Sequence, residues 1–238
     1  TGVKKDFTDF IILDNIYQKA MMSEGIDVFI LFSGDGHFSS VVSFLKNICG
    51  LWLIQESRRQ WKREGKDYSY AELEKEALEC ESFRCFIDPD APEFAPMGNI
   101  PERVREYCRK TGQYVPETVG EIMRCIYESL ALKYRFTFDG IKECTGKTYD
   151  RIHVMGGGTK DRLLLEMTAD SCGVPVYGGP IEATALGNGA IQLMSKGYIS
   201  GIKEARKIIA SGEQLKEFVP TENEKWEAAY DKFKAVIR

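Results

Sequence analysis

No apolar run in this sequence is long enough to span a bilayer, and no basic stretch followed by an apolar one opens it. Neither a membrane helix nor a secretory leader is therefore expected, and the chain reads as cytoplasmic. Charge of either sign is nowhere in excess: 32 Lys and Arg against 36 Asp and Glu leave a net charge of -4 and a pI near 5.5. That balance argues against a nucleic acid or a membrane surface recruited by bulk electrostatics. Internal repeats and low-complexity segments are also lacking. Cysteine is present, but CxxC spacing is not: Cys49, Cys80, Cys85, Cys108, Cys125, Cys144 and Cys172 are odd in number and scattered. Reduced, mostly buried thiols fit that pattern better than a zinc site or a disulfide frame. At 238 residues the chain is long enough for one large or two ordinary domains with a real core.

What is present centres on Arg151 to Ser195. Ile152, Val154 and Met155 read as a short buried strand, and Gly156, Gly157 and Gly158 let the backbone turn tightly with nothing projecting from it. Leu163, Leu164, Met167 and Ala169 then supply the apolar face of a helix whose first amides point back at the glycines, a place for an anion or a polar ring edge. Gly173 to Val176 reads as an edge strand, because Pro175 cannot donate to a ladder. A second glycine pair, Gly178 and Gly179, precedes Pro180 and a small-residue helix from Glu182 to Ala190. Strand, glycine turn and helix is a nucleotide-site pattern, although such a turn is more often a plain connection.

The segments GGGTKDRLLLEMTADSCGVPV and GPIEATALGNGAIQL resemble the adenosine-binding signature of the FGGY carbohydrate kinases, in their rhamnulokinase branch. The likeness extends back through SLALKYR (129–135), FIDPDAPEF (86–94) and FLKNICGLWLIQESRRQW (44–61), and so covers about 44–238. It implies an α/β fold of the ribonuclease-H-like, actin-like ATPase type, incomplete here, as the C-terminal ATP-binding domain of a sugar kinase. It also implies ATP with Mg2+, the glycines 156 to 158 and Gln55 on the adenine nucleotide, and Asn47 on the sugar. The family's N-terminal sugar domain and the segment with its catalytic Asp are expected upstream of FLKN, where SGDGHFSSVVS stands instead. L-rhamnulose phosphorylation is then expected only if the missing domain is supplied, with no catalytic residue assignable in this chain.

Residues 1–43 read differently. Phe7, Phe10, Ile11, Leu13 and Tyr17 have mostly helical spacing, Asp27 to Phe32 is a buried-strand run, and Ser33 to Phe38 turns into a further helix. This stretch resembles part of the NYN or LabA-like division of the PIN-domain nucleases. The resemblance implies Asp14 and Asp35, with Asp9, as ligands of a divalent ion that activates water for phosphodiester cleavage. The alternative for Asp35 is a helix cap, and for His37 a turn residue. SFLKN (43–47) suits both families, which favours a recombined or truncated gene.

From Phe44 to Lys66 the spacing predicts one long amphipathic helix. Asn47 and Gln55 lie eight apart, about two turns, so one helix could reach two ligands. Ser69 is a candidate cap for the helix YAELEKEALE. Phe86 to Pro101 reads as a loop in which turn chemistry explains Asp88 and Asp90 without a metal. Helices are predicted over 101–111 and 119–138, and two charged helices follow Gly197. Gly140 with Gly146-Lys147-Thr148 approaches a Walker A loop, but five residues separate the glycines and it follows a helix, so it is assigned to a surface turn. An α/β sheet short of strands would leave unpaired edges, which predicts a homodimer or poor solubility.

Overall fold

Two kinds of local pattern, long apolar stripes at helical spacing and short strands bounded by glycine, sort into two units in the computed structural model, which describes residues 29–31, 48–212, 215–221 and 223–237. Among the described residues, one unit is helical and draws on 48–145, 162–174, 219–221 and 223–237; the other holds the sheet and draws on 29–31, 146–161, 175–212 and 215–218. The result is the expected α/β class. Among the described residues no helix is long and apolar enough to cross a membrane.

The helical unit contains α1 (Trp52–Arg63), α2 (Tyr70–Leu78), α3 (Ile100–Lys110), α4 (Val119–Thr145), α5 (Arg162–Cys172) and α8 (Asn223–Val236). Its axis is the 27-residue α4. Ile122, Met123, Ile126, Tyr127, Leu130, Ala131, Tyr134 and Phe138 are all sealed within it, on more than one face of the helix. Such all-round burial needs neighbours on several sides. Gly120 supplies one of them: a Cβ there would stand 2.4 Å from the Glu76 carbonyl oxygen, so only glycine lets α2 come this close. Ser171 of α5 donates to the Ala131 carbonyl (3.2 Å). From α8, Phe233 meets Phe86 edge-on and Glu227 pairs with Arg135 at 2.7 Å.

Helix starts follow the sequence closely. Ser69 and Glu72 form a reciprocal capping box at α2. Asn99 accepts from Glu102 N (3.1 Å) at α3, with Pro101 in the first turn. The 44–66 helix is shorter than expected: residues 48–50 are not helical and α1 begins at Trp52. Gly50, a poor helix former, lies in that break. Conversely α4 runs to Thr145, seven residues past the expected Phe138.

The sheet has the order β1 (Phe29–Leu31), β2 (Ile152–Met155), β3 (Val176–Gly178), β4 (Lys216–Phe218), with β1, β2 and β3 parallel and β4 antiparallel. Ile152 lies opposite Val176, and Val176 opposite Phe218, so these three and Val154 form its buried face. On the other face His153 stacks on Tyr177 (centroids 5.3 Å apart), whose hydroxyl donates to Glu217 (2.6 Å). Two expectations are corrected. β3 is not an edge strand: Pro175 precedes it, its carbonyl accepting from Ile152 N (2.9 Å), and β4 covers its other side. The tail after Gly197 is not two helices alone, because β4 separates α7 (Ile202–Gly212) from α8. The strand KEF gives no sequence signal of its own, because two of its three residues are charged.

Candidate functional site

The glycine bend leaves β2 at Gly156, which adopts φ 86° and ψ -166°. This region of backbone space is essentially reserved for glycine. Gly156 N donates to the Pro180 carbonyl (3.0 Å), and Gly179 N donates to the Val154 carbonyl (2.8 Å). The second glycine pair therefore clamps the first in place, a role its sequence did not announce. A turn of 3-10 helix, Gly157–Lys160, follows, closed by Thr159 N and Thr159 Oγ1 donating to the Gly156 carbonyl at 3.1 and 2.7 Å.

That turn changes the expected geometry. Lys160 and Asp161 separate the glycines from α5, and Gly156 N is taken up by the Pro180 carbonyl, so the amides offered at the bend are those of Gly157 and Gly158. The bend is not plugged: a Cβ built on Gly156 or on Gly157 would meet no heavy atom within 4 Å. Gly157 is exposed and Gly156 and Gly158 are half-buried. A planar or anionic ligand can reach main chain here, as the donor set of a nucleotide site requires. The small-residue helix α6 (Ala183–Ser195) follows from the clamping pair, with Gly187 its one buried residue.

The remaining candidates separate. Gln55 lies half-buried on α1, in the helical unit, whereas the glycines belong to the sheet unit. Asn47, Asp14, Asp35, Asp9 and His37 lie outside the described residues. With 48–50 non-helical, the helix that carries Gln55 does not extend back beyond α1. Asp88 and Asp90 form an ion-pair site. Lys133 Nζ lies 2.7 Å from Asp88 and 3.3 Å from Asp90, Asp88 accepts from Asp90 N (3.1 Å), and Asp90 accepts from Cys49 N (2.8 Å). Of the Walker-like segment, Gly140 and Thr145 belong to α4, and only Gly146 to Thr148 form the exposed turn that leads towards β2.

One cluster was invisible in sequence. Cys85, Cys108 and Cys125, set 23 and 17 positions apart, bring their sulfur atoms within 4.8 Å of one another, all buried. The scatter that argued against a metal site is undone by the packing of α3 and α4. All seven cysteines are free thiols. Donation from Cys125 and Cys85 holds the Cys108 thiol down to about 4, and the same contacts push its two donors up. Beside them burial pushes Glu128 up to about 7, against the pull of Arg124 and the Phe83 amide (2.8 Å).

Comparison with known proteins shows the family of the chain. The family described as the FGGY family of carbohydrate kinases, C-terminal domain, matches residues 32–195. The rhamnulokinase of Bacteroides thetaiotaomicron is 42% identical over 207 residues, 87% of this chain and 42% of that protein. That of Bacillus subtilis is 38% identical over 182 residues, 76% of this chain and 37% of that protein. The chain thus spans about two fifths of the length of the curated relatives it matches. Among solved structures, Plasmodium falciparum glycerol kinase with ADP is similar in fold, with a TM-score of 0.53 at 14% identity over 78% of this chain and 37% of that one.

Proposed function

The chain belongs to the FGGY family of carbohydrate kinases, and from that premise we propose that it is the ATP-binding portion of a kinase of rhamnulokinase type, with Gly156, Gly157 and Gly158 on the adenine nucleotide. The observation that carries this reading is the open main chain at the bend, with empty space where side chains on Gly156 and Gly157 would stand. Gln55 is a second nucleotide contact and Asn47 a sugar contact, both by family likeness. ATP with Mg2+ is the phosphoryl donor, and L-rhamnulose the acceptor of the complete enzyme. Phosphoryl transfer of this kind is chiefly positioning and charge neutralisation, so a portion that holds the nucleotide without the sugar domain binds but does not turn over.

Calorimetry with ADP and with MgATP tests it. Measurable heat that is lost in Gly157→Val, with an unchanged circular dichroism spectrum, is the expected result; no heat from the unaltered chain defeats the reading. Phosphorylation of L-rhamnulose by this chain alone would overturn the claim that it does not turn over. The sheet ends in β4, which pairs only with β3 among the described residues, and a homodimer through sheet edges is expected by light scattering.

A further inference from the structure

Three thiols from three separate elements converge in the helical unit. Cys85 stands in the loop just before buried Phe86 and Ile87, Cys108 in the last turn of α3, and Cys125 in the second turn of α4. None is more than 4% exposed, and every pair of sulfur atoms lies within 4.8 Å. A core commonly seats one cysteine as a small apolar filler. Three at one point, where Leu or Val would pack as well, make a soft donor set.

The dimensions suit an ion. Three sulfurs bound at about 2.3 Å around a central cation stand about 4 Å apart, so closing this triangle needs a contraction of under about 1 Å. Competing donors nearby are already engaged. Glu121 accepts from Arg84 (3.1 Å) and from the Tyr114 hydroxyl (2.7 Å), and Glu128 accepts from Arg124 and the Phe83 amide. These same side chains, with Cys85 and Cys125, line a small hollow beside the three sulfurs. Thiolate ligands favour soft cations of the Cu(I) and Zn(II) type over Mg2+ or Ca2+.

We propose that Cys85, Cys108 and Cys125 form a three-sulfur site for one soft d10 cation, which ties the 79–87 loop to α3 and α4. The site has no part in phosphoryl transfer and does not depend on the nucleotide assignment. Titration of the reduced full chain with Cd2+ under argon tests it. The expected result is a sulfur-to-cadmium charge-transfer band saturating at one ion per chain, a raised melting temperature, and protection of these three cysteines from alkylation while exposed Cys144 stays reactive. Cys85→Ala is expected to weaken binding at least about tenfold, and Cys144→Ser to leave it unchanged. Absence of the band in the unaltered chain overturns the proposal whatever the variants do. So does a band that survives both Cys85→Ala and Cys108→Ala, or protection that falls on Cys144 instead.

Discussion

The helical unit and the sheet unit divide the work of the chain unequally. In the first, a 27-residue helix is surrounded on several sides and even its charged Lys133 and Glu128 are sealed. In the second, strands are three or four residues long and α6 and α7 each bury a single residue, Gly187 and Ala205. Dense burial carries stability, whereas a thinly covered glycine bend leaves backbone free to meet a ligand. Substitutions in the helical unit should therefore unfold the protein, and those at the bend should cost affinity first.

The strongest way to break this contrast is Lys133→Ala, which strands Asp88 and Asp90 without their cation. Removing one partner of a buried ion pair costs about 3–5 kcal/mol, to be read by urea denaturation; a loss below about 1 kcal/mol would show the helical unit to be less dependent on its interior than its packing implies.

Next in size is a pH effect at Glu128. The folded chain keeps that proton up to about 7, while the unfolded chain releases it near 4.5. Stability is then greatest below 4.5, declines as pH rises towards 7, and is level above, a change of about 3 kcal/mol from a shift of this size. The groups that face this carboxyl are Arg124, the Phe83 amide and the Cys85 thiol. Glu128→Gln should flatten the decline in a series of denaturation curves at pH 5 to 8.

Gly120→Ala puts a methyl group 2.4 Å from the Glu76 carbonyl, prising α2 from α4 at a cost of about 1–3 kcal/mol and lowering the melting temperature. At the other unit, Gly156→Ala strains a backbone at φ 86° for a loss of about 1–2 kcal/mol. Smallest in stability is Gly157→Ala, whose methyl group enters open space; denaturation should shift by under about 0.5 kcal/mol. The same change should weaken ADP about tenfold by calorimetry, or about 1.4 kcal/mol. Equal stability losses at Gly157 and Gly120 would erase the distinction between the units.

Much of this contrast was legible beforehand. The triple glycine, the Ser69 cap and the long apolar helix after Val119 are local signals, and local signals survive into the fold. Four features depended on contacts between distant residues. Pro175 suggested an edge, yet it falls just outside β3, where its missing amide costs no ladder bond. Two of the three residues of β4 are charged, and it is a strand because Val176, Tyr177 and Gly178 pair with it. The clamp of Gly179 and Pro180 on the bend links positions over 20 apart, and the three thiols meet only after α3 and α4 pack. Turn chemistry anticipated the Asp90 N to Asp88 bond, but the shared partner of the two carboxylates, Lys133, lies some 45 positions away, beyond any turn argument.

The chain passes between its two units at 47, 145, 161, 174 and 218, so no single cut in the gene yields either one. The last twenty residues return to the unit that begins at Ile48, where the Tyr107 hydroxyl donates to the Val236 carbonyl (2.8 Å). Synthesis must therefore pass residue 236 before that unit can close. Truncation after residue 220 of this sequence would delete Trp226, Tyr230 and Phe233 from a core whose other members had already been made, leaving a product fit for degradation.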